Sequence, residues 1–536
     1  MKIFRKIWLY WQTIRHLKME QIFYRILFRL RKAKVNTSKA PELNQSLCKS
    51  TSFAQMPVSW LGKDTFRFLN ASHSLVDRSD WNRMEWGKLW LYNLHYFDYL
   101  RQDGISEEDG NRLIAKWISE NPPGYGNGWE PYPLSLRIVN WIKWHLNGHP
   151  LSLEAVQSLA IQSRFLMQRF EKHLLANHFL ANAKALAFAG MFFEGKEGAA
   201  FLQQGLKIYR RELPEQILAD GGHFERSAMY HSIIFEDLLD LKNIGVPLTD
   251  LTVILPRMSL WLEKMTGPDG QIILFNDAAF GIAVDPGQLQ DYYKRLDPRQ
   301  LVSVAETCSV FDLPATGYTR IENGPWLLVA DTAPIGPEYQ PGHAHADTLS
   351  FELFYQKKRF IIDSGTMLYL DGEVRRQQRS SAGHNVLTID EQNSSHVWGA
   401  HRVAERARIV EREITHNHLF AAHDGYLPLI VSREWNVEPE TIVITDKVEG
   451  TGSHRLDLFF HLHPECRTDF VQEKLARVHY EDCCIELSLP EELSWTLEDS
   501  QCSFEFGILT PCKVLHGSAL NCKLPIQLEC QIKVGK

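Results

Sequence analysis

A chain of 536 residues that is 44% apolar, 23% charged and 11% aromatic has an ordinary globular composition and room for two or three domains, which excludes disordered, collagen-like and small disulfide-scaffold polypeptides. The formal charge of -7 makes nucleic acid an unexpected partner, and it hides an asymmetry. Residues 1–34 hold ten basic side chains and one acid, Glu20, so this arm carries +9 and the remaining chain -16; an acidic polymer is bound by the body only where positive charge is gathered in a site.

The first predicted element is a basic amphipathic helix within residues 1–34, where Ile22, Phe23, Ile26, Leu27 and Leu30 alternate with Arg25, Arg29 and Arg31. Two placements are open for it: on an anionic membrane surface, or docked on the rest of the protein. No stretch reaches the roughly 18 apolar residues of a membrane span. The opening apolar runs are short and broken by charge, so a secretory signal is not expected and a cytoplasmic or inner-membrane-associated protein is. Residues 35–58 are polar and aperiodic and read as a linker. From 59 to 316 the apolar period is near 3.6, in segments 134–146, 153–175, 179–193, 199–211, 227–243 and 251–265, which predicts an all-helical domain of antiparallel pairs. From 317 to 536 the period is two, in segments such as 325–331, 348–355, 428–436, 440–448 and 526–534, which predicts an antiparallel β-sandwich. A cleft is expected at the junction. Nine cysteines without a CxxC pair read as free thiols of a reducing compartment.

Four polar clusters interrupt this pattern. Trp129, Glu130 and Tyr132, with Ser135 and Arg137, combine rings and polar groups as sugar recognition does, but taken alone a helix start with proline punctuation explains them better. Asn177 and His178 stand in an apolar segment, where unpaired burial costs roughly 1–3 kcal/mol. Residues 220–231 enter a helix through Gly221-Gly222, and His223, Ser227 and Tyr230 are expected on one helical face beside Glu225 and Arg226. His343 and His345 form an HxH pair expected on a strand, both side chains pointing one way. With Asp363 and His384 farther on, this set suits Zn²⁺. The second such pair, His461 and His463, reads as structural.

The segments GWEPYPLSLRI, ANHFLANAKAL, DGGHFERSAMYH, GHAHADTLSFEL and SSAGHN, in this order, resemble the heparinase II/III family of polysaccharide lyases. The resemblance implies an α+β multidomain protein: an incomplete (α/α) toroid followed by an antiparallel β-sandwich, with the site between them. It implies β-elimination on a uronic-acid glycan, in which Asn177 and His178 neutralise the carboxylate, Tyr230 is the catalytic base or acid with its pKa pulled below about 10, and His343 completes the proton transfer. It also implies His345, Asp363 and His384 as ligands of a structural zinc. Trp129, Glu130, Tyr132, Arg137, His223, Glu225, Arg226 and Arg379 are the expected substrate contacts, the arginines supplying positive charge. Two other readings stay open: a glycoside hydrolase using Glu130 and Glu225, and a non-catalytic glycan-binding or assembly protein of polysaccharide synthesis. The absence of an export signal favours a bacterial exopolysaccharide or capsule over an external glycosaminoglycan.

Overall fold

The computed structural model describes residues 2–298 and 308–535. The arm forms α1 (Lys2–Ile14) and α2 (Met19–Leu30), and both helices dock. Trp398 Nε1 donates to Thr13 Oγ1 at 3.2 Å, Arg169 lies 3.8 Å over the Phe28 ring, and Arg211 grips Glu20. Yet Phe4, Ile7, Trp11, Met19, Phe23 and Leu30 remain exposed, so the arm offers protein contacts on one side and open apolar surface on another. Among the described residues no helix is long and apolar enough to cross a membrane.

The helical region runs α3 (Lys88–Tyr96), α4 (Glu107–Glu120), α5 (Pro131–Leu146), α6 (Leu153–Leu166), α7 (Ala176–Phe192), α8 (Gly195–Gln216), α9 (Ala228–Asn243), α10 (Leu251–Lys264) and α11 (Pro286–Leu296). Local chemistry sets the starts: Pro131 occupies the first turn of α5, and the Ser152 and Ser227 hydroxyls cap α6 and α9. α7 packs against α5, α6, α8 and α9, around a core that includes the fully buried Trp117, Trp141 and Trp261. The helix expected over 153–175 ends at Leu166. Leu175 and Ala176 have φ of 61° and 50°, a strained reversal that restarts the chain as α7 and sets Asn177 and His178 in its first turn.

Among the described residues the strands build three large antiparallel sheets, besides two two-stranded ribbons at residues 65–74 and 397–403. Five consecutive strands from Cys308–Leu313 to Lys358–Ile361 form the first. An eight-stranded sheet runs from Ile409–Ile414 at one edge to Arg467–Gln472 at the other, with Ile526–Val534 inserted at its centre. A four-stranded sheet runs in the order Ser494–Cys502, Thr510–Lys523, Ser453–His461, Leu387–Ile389. Alternate residues such as Leu328, Phe351, Trp435, Ile444 and Phe460 fill the core between them. The architecture is thus an α-helical toroid followed by a β-sandwich. The stretch carrying His343 and His345 is a loop, not a strand.

Candidate functional site

A cleft of about 510 Å³ opens between the toroid and the sandwich, lined by side chains of α3, α5, α7 and α9 on one wall and by His343, Tyr369, His401 and Phe506 on the other. Its chemistry is organised by Asp277, in the apolar run after α10. His343 Nδ1 lies 2.9 Å from Asp277 Oδ2 and His345 Nε2 2.9 Å from Oδ1, while the guanidinium of Arg375 (on α12, Glu373–Arg379) grips both oxygens. Burial opposes the charge on Asp277, but Arg375 and the two histidines hold its carboxyl well below the usual range. An ionised carboxylate only accepts, so His343 Nδ1 carries the proton and Nε2 is left as the ring's basic nitrogen. HxH thus works from a loop, both rings sharing one carboxylate.

Tyr230, two residues into α9, lays its ring 4.0 Å from that of His343 and meets Tyr369 Oη at 3.1 Å. Its pKa was expected to be lowered; burial first, then Tyr369, Asp277 and Glu225, push it well above the ordinary value instead. The phenol is held protonated. Asn177 donates both to Glu225 Oε1 (3.1 Å) and Oε2 (2.9 Å). His178 lies 3.2 Å from Glu171 and packs its ring 4.4 Å from Tyr132. Burial works against a charged His178, but Glu171 and Glu225 outweigh it and raise the pKa. Asn177, His178, Tyr132 and Tyr230 on one wall and His343 on the other therefore face one cleft.

Several expected substrate contacts lie elsewhere. Trp129 is core, packed between Trp117 and Phe165. Arg137 is fully buried and donates to Gln162, His95 O and Gly128 O. Arg379 is likewise buried, clamping Ala344 O, Gly399 O and Arg402 O, so it fixes the histidine loop and not a ligand. His223 precedes α9 and is sealed against Gln216, 3.6 Å from Glu225, which is itself buried behind Asn177. Glu130 does not line the cleft; it pairs with Lys88 and accepts from Tyr92, whose side chain does. Arg226 faces a different pocket. The deep cations Arg101, Lys143 and Lys184 are tied to Asp98, Glu236, Asp237 and Asp240. With Arg226 and Arg379 placed elsewhere, the positive charge expected from the arginines is not in the cleft, and His178 is the group whose charged form is favoured there. Asp277, Tyr369, Arg375 and His401 escaped the sequence reading; Asn276-Asp277 inside the apolar run ILFNDAAF was the available signal.

Behind the loop, ligand atoms of His345, Asp347 and His384, all buried, lie within 4.8 Å of one another. His345 Nδ1 and His384 Nε2 have no hydrogen-bond partner, and two orphaned imidazole nitrogens beside a carboxylate fit a divalent metal. Asp363, expected as a ligand, accepts from His384 Nδ1 at 2.7 Å and orients it from behind; Asp347 takes its place in the cluster. His461 packs below, its Nε2 3.0 Å from Ala382 O.

The chain matches a family model described as Heparinase II/III N-terminus over residues 129–278 and one described as Heparinase II/III-like, C-terminal over 306–512, together well over half its length. It is 24% identical over 308 residues to a heparin-sulfate lyase of Bacteroides stercoris, covering 52% of this chain and 45% of that one. It is 28% identical over 192 residues to the FtsZ-localized protein C of Caulobacter vibrioides, covering 34% and 31%. The chain spans less than half the length of these curated relatives. A crystal structure of heparinase III superposes with a TM-score of 0.66 at 18% identity, over 87% of this chain and 79% of that one, which shows the shared fold.

Proposed function

The chain belongs to the heparinase II/III family, and from that premise we propose that it is a carbon–oxygen lyase cleaving a uronic-acid-containing polysaccharide by β-elimination. The observation that carries the reading is the contact of a protonated Tyr230 phenol with a His343 whose basic nitrogen is freed by Asp277. A C–H beside an ionised carboxylate is a poor acid, so the carboxylate needs neutralising partners. Asn177 and His178 on the cleft wall supply them: an amide donor and an imidazole kept positive by Glu171. His343 Nε2 takes the C5 proton, Tyr230 Oη gives its proton to the departing O4, and a C4–C5 double bond forms without water. Tyr369, which bonds Tyr230, positions the phenol.

A zinc ion held by His345, His384 and Asp347 would supply a structural crosslink beneath the histidine loop, oriented from behind by Asp363 and Asp277. The hydrolase reading loses support because Glu225 is buried behind Asn177 and Glu130, which does not line the cleft, is tied to Lys88 and Tyr92. The open apolar and basic surfaces of α1 and α2 support a place at an anionic membrane surface, and with it a role in exopolysaccharide or capsule metabolism.

The test mixes the protein with uronate glycans and follows the ultraviolet absorbance of the new double bond. Tyr230→Phe, which keeps the ring contact, should lower turnover by about 10²–10⁴-fold with an unchanged melting temperature. No absorbance change on any member of the panel would refute the reading.

A further inference from the structure

A second pocket, of about 460 Å³, lies where the corner between α1 and α2 meets the toroid and the sandwich. Arg15, Arg226, Arg406 and Arg408 line it, with Glu215 and Glu338 as the carboxylates among its lining residues. Both acids are engaged: Glu215 with Lys18, and Glu338 with His16 Nδ1 at 3.2 Å. Two of the guanidiniums are held by backbone carbonyls. Arg226 Nε donates to Thr316 O at 3.0 Å and Arg406 Nη1 to Glu338 O at 2.7 Å. Arg406 Nε and Nη2 are buried with no acceptor, a costly arrangement that a ligand oxygen would relieve.

The backbone is shaped around this charge. Arg226 has a φ of 54°, strained for a residue with a side chain, and a Cβ on Gly336 would fall 1.5 Å from Arg226 Nη1. Crowding shows in the neighbours as well: burial, then Arg406, pushes the His16 pKa down, and burial pushes Arg406 down to about 10.

We propose that this pocket is a second binding site, separate from the cleft, for a phosphate group. Four convergent guanidiniums, outnumbering two carboxylates that are already engaged, match a dianion whose oxygens accept bidentate hydrogen bonds. The phosphate is either free or the headgroup of a lipid. Exposed Trp11, Ile14 and Met19 flank the Arg15 corner and give an acyl surface a place to rest.

The test titrates the full chain with inorganic phosphate calorimetrically, against chloride at matched ionic strength. Phosphate should bind, and both Arg406→Ala and the variant at exposed Arg408, Arg408→Ala, should weaken binding by about tenfold or more, while Tyr230→Phe leaves it unchanged. Sedimentation with phosphatidylcholine vesicles, with and without phosphatidic acid, separates the sources. Binding that requires phosphatidic acid and Arg406 assigns the lipid headgroup; phosphate binding without vesicle binding assigns the free anion. Phosphate that binds no better than chloride, or equally well to wild type and to folded Arg406→Ala and Arg408→Ala, would overturn the proposal.

Discussion

At the scale of the residue, His178 links burial to function. Its pKa is raised because Glu171 and Glu225 outweigh burial, so its cation persists above the ordinary value of 6.5 and is lost as pH rises through the raised one. Affinity for an acidic glycan should therefore fall with pH in that window, seen as a rising KM. Glu171→Gln removes the main raising partner and should move the rise in KM to lower pH; a pH–KM profile identical to wild type would contradict the assignment. The same scale shows what a sequence hides. Trp129 and Arg137 read as sugar recognition because rings and charge stand together, and only the fold reveals that both are sealed in the core. Asp277 went unnoticed because a lone acid has no spacing signal, although four side chains converge on it.

Among the elements, periodicity located α5, α7, α9 and most strands to within a few residues, since burial on one face imposes a period of 3.6 or 2. It failed at 167–175 and at 342–350, where strained turns and side-chain hydrogen bonds, not apolar patterning, fix the backbone. Both failures fall at the cleft or directly behind it. The 342–350 loop is held by Arg379 from one side and by Asp277 and Asn276 from the other. If zinc joins His345 to His384, it should co-purify with the chain, and a chelator should lower the melting temperature together with turnover. Metal-free protein with an unchanged melting curve and full turnover would contradict a structural zinc.

For the whole molecule, the charge asymmetry of the chain divides between two places. Five of the arm's ten basic residues lie on helices that dock by one side and expose apolar surface on another, and the rest flank those helices, so deleting residues 1–34 should shift the protein from the membrane to the soluble fraction of cells; equal fractions would contradict a membrane role. The acidic body keeps its cleft cations paired, leaving His178 as the positive charge on the cleft wall. That cleft, built jointly by toroid and sandwich, carries the central claim: bond cleavage by elimination. It is tested most directly by digesting a uronate glycan in isotopically heavy water and weighing the fragments. Elimination predicts fragments whose masses sum to that of the intact chain, one bearing a C4–C5 double bond and neither carrying heavy oxygen. Fragments that gain one water with heavy oxygen would contradict it.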